Sequence, residues 1–178
     1  MQLSTLTNSL DNFLQQPNIE GSPAWEFIQG KAQQKPMPTL FNSRLQRNLV
    51  NVINSQTTIY EAIQELRCIV PPMSPVPDIS VVKSERFTDE DGPLQGSPDW
   101  LIEIRSPDQS TLDIQQKILN CLSNGTQLAW LIDIQRKQIW VWANQELPLI
   151  YADNDILPSL DNILELTVAN VMAMTQQR

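Results

Sequence analysis

Histidine is missing altogether from this 178-residue chain, and that one absence closes off the most familiar hydrolytic chemistries. Without an imidazole there is no Ser-His-Asp or Cys-His pair and no histidine metal site. Any hydrolysis must run on carboxylates, lysine, arginine and a bound ion. Cysteine is nearly as scarce: the two residues, Cys68 and Cys121, have no CxxC spacing and sit beside apolar Ile69 and Leu122. They read as buried reduced thiols in a reducing compartment. No apolar run approaches the ~20 residues of a membrane-spanning helix, and the opening MQLSTLTNSLDNF lacks the basic-then-apolar order of a signal peptide. The expected location is the cytoplasm. Cations are also short, with 12 Lys and Arg against 20 Asp and Glu, a net charge of -8. That balance excludes a general nucleic-acid coat protein, which needs a basic excess. It leaves room for a nuclease that gathers its few cations beside one groove and offsets its carboxylates with divalent metal.

What is present fits one globular domain, since a hydrophobic fraction of 41% over this length can build a core without disulfides. Residues 1–20 read as an N-terminal docking segment with Leu10, Phe13 and Leu14 as its apolar patch, 24–143 as the core, and 144–178 as a C-terminal extension. In AWEFIQGKAQQKPMP a short strand turns at Gly30-Lys31 and stops at Pro36 and Pro38. From Thr39 the spacing of Leu45, Leu49, Val52 and Ile53 predicts a helix, with Thr39 or Ser43 as its cap. IYEAIQELRCIVPP carries both periods, its length favouring a strand, and PDISVVK reads as a strand after a Pro-rich entry. SERFTDEDGPLQGSP is a loop. DWLIEIRS is the cleanest strand, placing Leu101, Glu103 and Arg105 on one face and Ile102 and Ile104 on the other. A helix follows from Ser110, with Asp113 as a capping-box-like partner, Ile114, Ile118, Cys121 and Leu122 along one face, and Gly125 as its stop. QLAWLIDI and QIWVWAN form a hairpin, and a last helix runs near Leu166 to Met174. The order predicts an α/β fold, a mixed β-sheet flanked by helices.

Chemistry concentrates in three places. Asp78, after Pro77, opens a strand; Glu103 lies inside the next, with Arg105 two residues on; Lys117 lies in the following helix. Two carboxylates on neighbouring strands suit a hard divalent cation, which prefers oxygen ligands. A cation beside them orients water or stabilises charge on a phosphate. Each residue also has a plainer reading. Asp78 can serve as a turn residue, Glu103 as a solvent-facing strand residue, and Lys117 as a surface partner of Asp113 worth ~0.3 kcal/mol. Arg105 reads equally as a phosphate contact or as an ion pair with Glu103 or Asp78. The tryptophans read as core or interface, and the alternation of Trp140 and Trp142 with Ile139 and Val141 suggests a face covered by a partner chain, hence a homodimer.

The order P-D, then E-x-(basic), resembles the PD-(D/E)XK nuclease superfamily, with a restriction-endonuclease-like fold. More narrowly, DWLIEIRSPDQSTLDIQQKILNCLSNGTQLAWLID and the entry PAWEFIQGKAQQKPMP resemble the Uma-two family of restriction endonucleases, over about Ala24 to Ala143. The resemblance implies a DNA endonuclease; the alternative is a catalytically inactive nuclease-fold binding or assembly module. It implies Mg2+ or Mn2+ held by Asp78, Glu103 and the Ile104 carbonyl, with Lys117 in place of the superfamily lysine. Glu26 is a further carboxylate of the kind such nucleases add from an earlier element. Two positions depart from the pattern: Arg105 stands where the superfamily has lysine, and Asn42-Ser43 where family members often carry His-Ser. Lysine can lose its proton in a desolvated site, whereas arginine stays charged and offers a rigid fork. Lys117 is therefore expected to position the nucleophile and Arg105 to hold phosphate or brace a carboxylate. Because two nearby carboxylates repel, replacing both Asp78 and Glu103 by alanine is expected to stabilise the metal-free protein.

Overall fold

The computed structural model describes residues 9–178. In chain order the elements are α1 (Leu10–Leu14), β1 (Trp25–Ile28), β2 (Lys31–Gln34), α2 (Leu40–Gln56), β3 (Tyr60–Gln64), β4 (Cys68–Ile69), β5 (Ile79–Lys83), β6 (Leu94–Gln95), β7 (Trp100–Ile104), α3 (Thr111–Ser123), β8 (Leu128–Asp133), β9 (Gln138–Ala143), β10 (Leu149–Ala152) and α4 (Val168–Ala173). Six strands form the central sheet in the order β10-β9-β8-β7-β5-β3. Only β7 and β8 run parallel, because α3 carries the chain back between them; every other neighbour is antiparallel.

Both faces of the sheet are covered. Ile102, Ile104, Trp130 and Ile132 meet Leu45, Leu49 and Ile53 of α2 and Val168 and Val171 of α4 on one side. Leu101, Ala129, Leu131 and Trp142 meet Ile114, Ile118 and Cys121 of α3 on the other, with Trp140 packed against them. The Trp140/Trp142 pair thus lies beneath this chain's own α3, and the alternation there reports two faces closed within one molecule, not a surface left for a partner. Trp100 and Trp130 are fully buried in an edge-on pair, as core residues.

Local chemistry explains most boundaries. Gln29 and Gly30 both take positive φ, so β1 and β2 form a tight hairpin, where the sequence suggests one strand and a turn one residue later. Thr39 caps α2 through a bond from the Asn42 N–H. Ser110 precedes α3 but makes no side-chain cap, so the capping box with Asp113 does not form. The apolar patch of the N-terminal segment docks as expected: Phe13 stacks on Phe27 of β1, and buried Arg67 lies over the Phe13 ring. Arg67 also binds Glu20 and the carbonyls of Ile19 and Trp25, which fixes the 20–24 segment. The first eight residues of that segment lie outside the described residues. Within the 84–98 loop, Leu94–Gln95 pairs with β4 as a two-residue parallel bridge. Among the described residues no helix is long and apolar enough to cross a membrane.

Candidate active site

Strand register assembles the site. Ile79 of β5 faces Ile102 of β7, and one further step in that antiparallel register sets Asp78 opposite Glu103. Gln64 of β3 faces Ile79, and the Glu65 N–H donates to the Asp78 carbonyl at 3.2 Å, so Glu65, Asp78 and Glu103 stand abreast over three strands. The period of two puts Glu103 on the same face as Leu101, beneath α3. There Lys117, on the apolar stripe with Ile114, Ile118 and Cys121, reaches down to it.

Two ammonium groups bind this row. Lys117 Nζ lies 2.6 Å from both Glu26 Oε1 and Glu103 Oε1, with the three side chains 4%, 4% and 2% exposed. It is a buried core lysine, not a surface partner of Asp113. Lys35 Nζ lies 2.8 Å from Asp78 Oδ1 and 2.7 Å from both Glu65 Oε2 and the Val76 carbonyl oxygen. The other Asp78 oxygen accepts the Ile104 N–H at 2.7 Å. Asp78 therefore bonds across the sheet and is no local turn residue. Glu26 Oε1 also accepts the Val76 N–H at 2.8 Å, which ties the β1–β2 hairpin to the site. From α2, Gln46 Nε2 donates to the Asp78 carbonyl at 2.5 Å and to Glu65 Oε1 at 3.0 Å.

These contacts set the charge states. Burial alone pushes the Asp78 carboxyl up, but Lys35, then Lys117, and the Ile104 N–H hold it below the usual range. Burial pushes Glu103 up to about 8, against the pull of Lys117 and with Asp78 adding repulsion. Burial also works against a charged Lys117, but Glu103, Glu26 and Asp78 outweigh it and raise its pKa. The paired carboxylates thus favour the charged form of Lys117 in the metal-free protein. Removing both carboxylates would leave Lys117 with Glu26 alone and Lys35 with Glu65 and the Val76 carbonyl, a loss of ion pairing that works against the relief of carboxylate repulsion.

A cavity of about 280 Å³ opens on this row. Lys35, Asn42, Gln46, Glu65, Asp78, Glu103, Ile104, Ser106 and Gln109 line it, with the 20–24 segment and Pro36 and Pro38 at its edge. Asn42 faces the cavity, and the Thr39 hydroxyl donates to its side-chain oxygen at 3.1 Å. Arg105 is not on that wall. Its Nη1 lies 3.4 Å from Asp133, so its ion pair goes to neither Glu103 nor Asp78. Of the residues singled out in the sequence, Asp78, Glu103, Ile104, Lys117 and Glu26 come together and Arg105 stands apart. Lys35, Glu65 and Gln46 carried no signal there beyond the helical period of Gln46 with Asn42.

The donor set suits a hard divalent ion. Buried Glu103 Oε1 meets the Lys117 ammonium at 2.6 Å, and Glu103 also lines the cavity. Asp78, Glu103 and Ile104 line the same cavity, so two carboxylates and a main-chain carbonyl are available there as oxygen donors. Among the described residues no three acidic or thiol side chains cage an ion unaided, so main-chain oxygen and water would complete the shell.

Known proteins agree with this architecture. No curated protein matches the chain. A crystal structure described as a putative nuclease belonging to DUF820 from Anabaena variabilis is 38% identical, with a TM-score of 0.86, over 94% of this chain and 98% of that one. The model of the Uma2 family, described as "Putative restriction endonuclease", matches residues 10–172. At that extent the match is decisive, and the chain belongs to the Uma2 family.

Proposed function

We propose that this protein is a divalent-metal-dependent endonuclease that hydrolyses DNA phosphodiester bonds. The observation that carries the reading is that the β5–β7 register sets the Asp78 and Glu103 carboxylates opposite each other on the wall of one cavity. Asp78, Glu103 and the Ile104 carbonyl would hold Mg2+ or Mn2+, which supplies Lewis acidity toward a phosphate oxygen and a more acidic water. Lys117 holds the Glu103 carboxylate and keeps positive charge under the site. It is a positioning group, since it lies behind Glu103 and off the cavity wall. Glu26 fixes Lys117 in turn. Ser106 and Gln109 offer polar groups to a substrate at the cavity mouth. Arg105, committed to Asp133, braces the end of β7.

The test is nicking of supercoiled plasmid with Mg2+ or Mn2+, in EDTA, and with Asp78→Asn and Glu103→Gln. Metal-dependent nicking lost in both variants is expected, and nicking by either at the wild-type rate removes the assignment. Asn42 in place of histidine favours a second reading, an inactive nuclease-fold binding module. A protein that neither nicks DNA nor binds Mn2+ would establish it.

We assign the protein to the cytoplasm, in keeping with two buried, unpaired cysteines. We also propose a homodimer formed along the β10 edge. That strand ends the sheet and exposes Leu149 and Ile150, by 56% and 55%. Light scattering of wild type against Ile150→Lys tests it, and a monomeric wild type at micromolar concentration excludes it.

A further inference from the structure

We propose that Lys35 is a resident counter-cation of the metal site, seated on Asp78 in the metal-free protein and displaced when a divalent ion binds. The inference rests on the metal reading above. It starts from the oxygens around Lys35 Nζ: Asp78 Oδ1, Glu65 Oε2 and the Val76 carbonyl, all within 2.8 Å. Two carboxylates and a main-chain carbonyl are the kind of donors a hard cation takes. Each Asp78 oxygen already has one partner, Oδ1 the Lys35 ammonium and Oδ2 the Ile104 N–H, so an ion on this carboxylate must share it with the ammonium. An ion that binds Asp78 through Oδ1 therefore meets the ammonium on the same atom, and two cations so close repel strongly at low dielectric.

Lys117 cannot be the group that yields. Its partners Glu26 and Glu103 are as buried as it is, and it does not line the cavity. Lys35 does line the cavity, and its partner Glu65 is 45% exposed, so an outward path for the ammonium exists. Lys35 precedes Pro36, which holds the main chain extended at that point. The motion is thus confined to the side chain.

Acylation of lysines by a water-soluble amine reagent, read by mass spectrometry on the wild-type protein with and without Mn2+, tests displacement directly. Labelling of Lys35 is expected to rise on adding Mn2+, while Lys117 stays protected in both states. Calorimetric titration with Mn2+ then compares wild type with Lys35→Met, whose affinity is expected to be about tenfold higher once the competing charge is gone. Unchanged labelling overturns the proposal, as does a variant that binds Mn2+ no more tightly than wild type while wild type binds normally. If Lys35→Met does not fold, labelling of the wild type decides alone. If neither protein binds Mn2+, the metal reading falls and this inference with it.

Discussion

Replacing Asp78 or Glu103 by alanine removes more than a ligand. Each carboxylate carries a lysine, and breaking a buried pair from one side costs about 3–5 kcal/mol. Asn and Gln keep the shape and an acceptor oxygen while losing the charge a metal needs. Asp78→Ala and Glu103→Ala should therefore melt well below Asp78→Asn and Glu103→Gln, although all four lose cleavage. Equal melting points for the two sets would show that the lysines find other partners. Lys117→Met should lower the single-turnover rate at saturating DNA by about 100-fold through a misplaced Glu103, whereas Arg105→Lys should leave that rate within a few-fold and act on stability. A normal rate for Lys117→Met beside an inactive Arg105→Lys would reverse those roles. Burial pushes the Cys68 thiol up to about 12 and raises Cys121 as well, so neither should react with a thiol reagent until the chain unfolds. A thiol titrated in the native protein would place one of them at the surface. At this scale the sequence was informative where chemistry is local: PD and the charged residue inside an apolar strand both marked residues that line the cavity. Lys35 left no such trace, because its role arises from Glu65 and Val76, brought to it only by the folded sheet.

Helix ends separate three serine and threonine positions that look alike in sequence. Thr39 accepts the Asn42 N–H, and Thr167 forms a full capping box with Asn170, but the Ser110 side chain makes no such bond. Thr39→Ala should cost about 1 kcal/mol, and Ser110→Ala only a few tenths. Denaturant midpoints of the two variants measure this, and equal losses would mean that Ser110 caps α3 in solution. The stakes at Thr39 reach the site, since α2 delivers Asn42 and Gln46 to the cavity from its first two turns. Period and punctuation made α2, α3, β5, β7 and the β8–β9 hairpin legible, because each has one clear apolar face or a fully buried run. The ambiguous IYEAIQELRCIVPP splits at Glu65, which takes φ +53 between β3 and β4. Glutamate does not advertise a left-handed turn as glycine or asparagine would. Its own conformation is fixed by the Asp78 carbonyl and Gln46, contacts that no local pattern contains.

Over the whole molecule, charge limits how DNA can be held. Of 12 cationic side chains, Lys35, Arg67, Arg86, Arg105, Lys117 and Arg136 are already paired with carboxylates. The rest are dispersed along a chain of net charge -8. Tight metal-free binding through phosphate contacts is therefore not expected of this chain. A divalent ion bound at the proposed site would change this locally, because it would offset the acidic row that otherwise repels the backbone. Fluorescence anisotropy with a labelled duplex should show weak binding in EDTA and at least about tenfold tighter binding with Ca2+, which takes the same oxygen ligands. Glu103→Gln should bind equally with and without Ca2+. The salt dependence should be shallow: with at most about three phosphates neutralised, the slope of log K against log salt is no steeper than about -3. A slope of about -6 or steeper, or Kd values unchanged between EDTA and Ca2+, would mean that DNA is held by a basic surface away from Asp78 and Glu103. In that case the cavity would serve some smaller ligand, and plasmid nicking would have to be credited to another part of the chain.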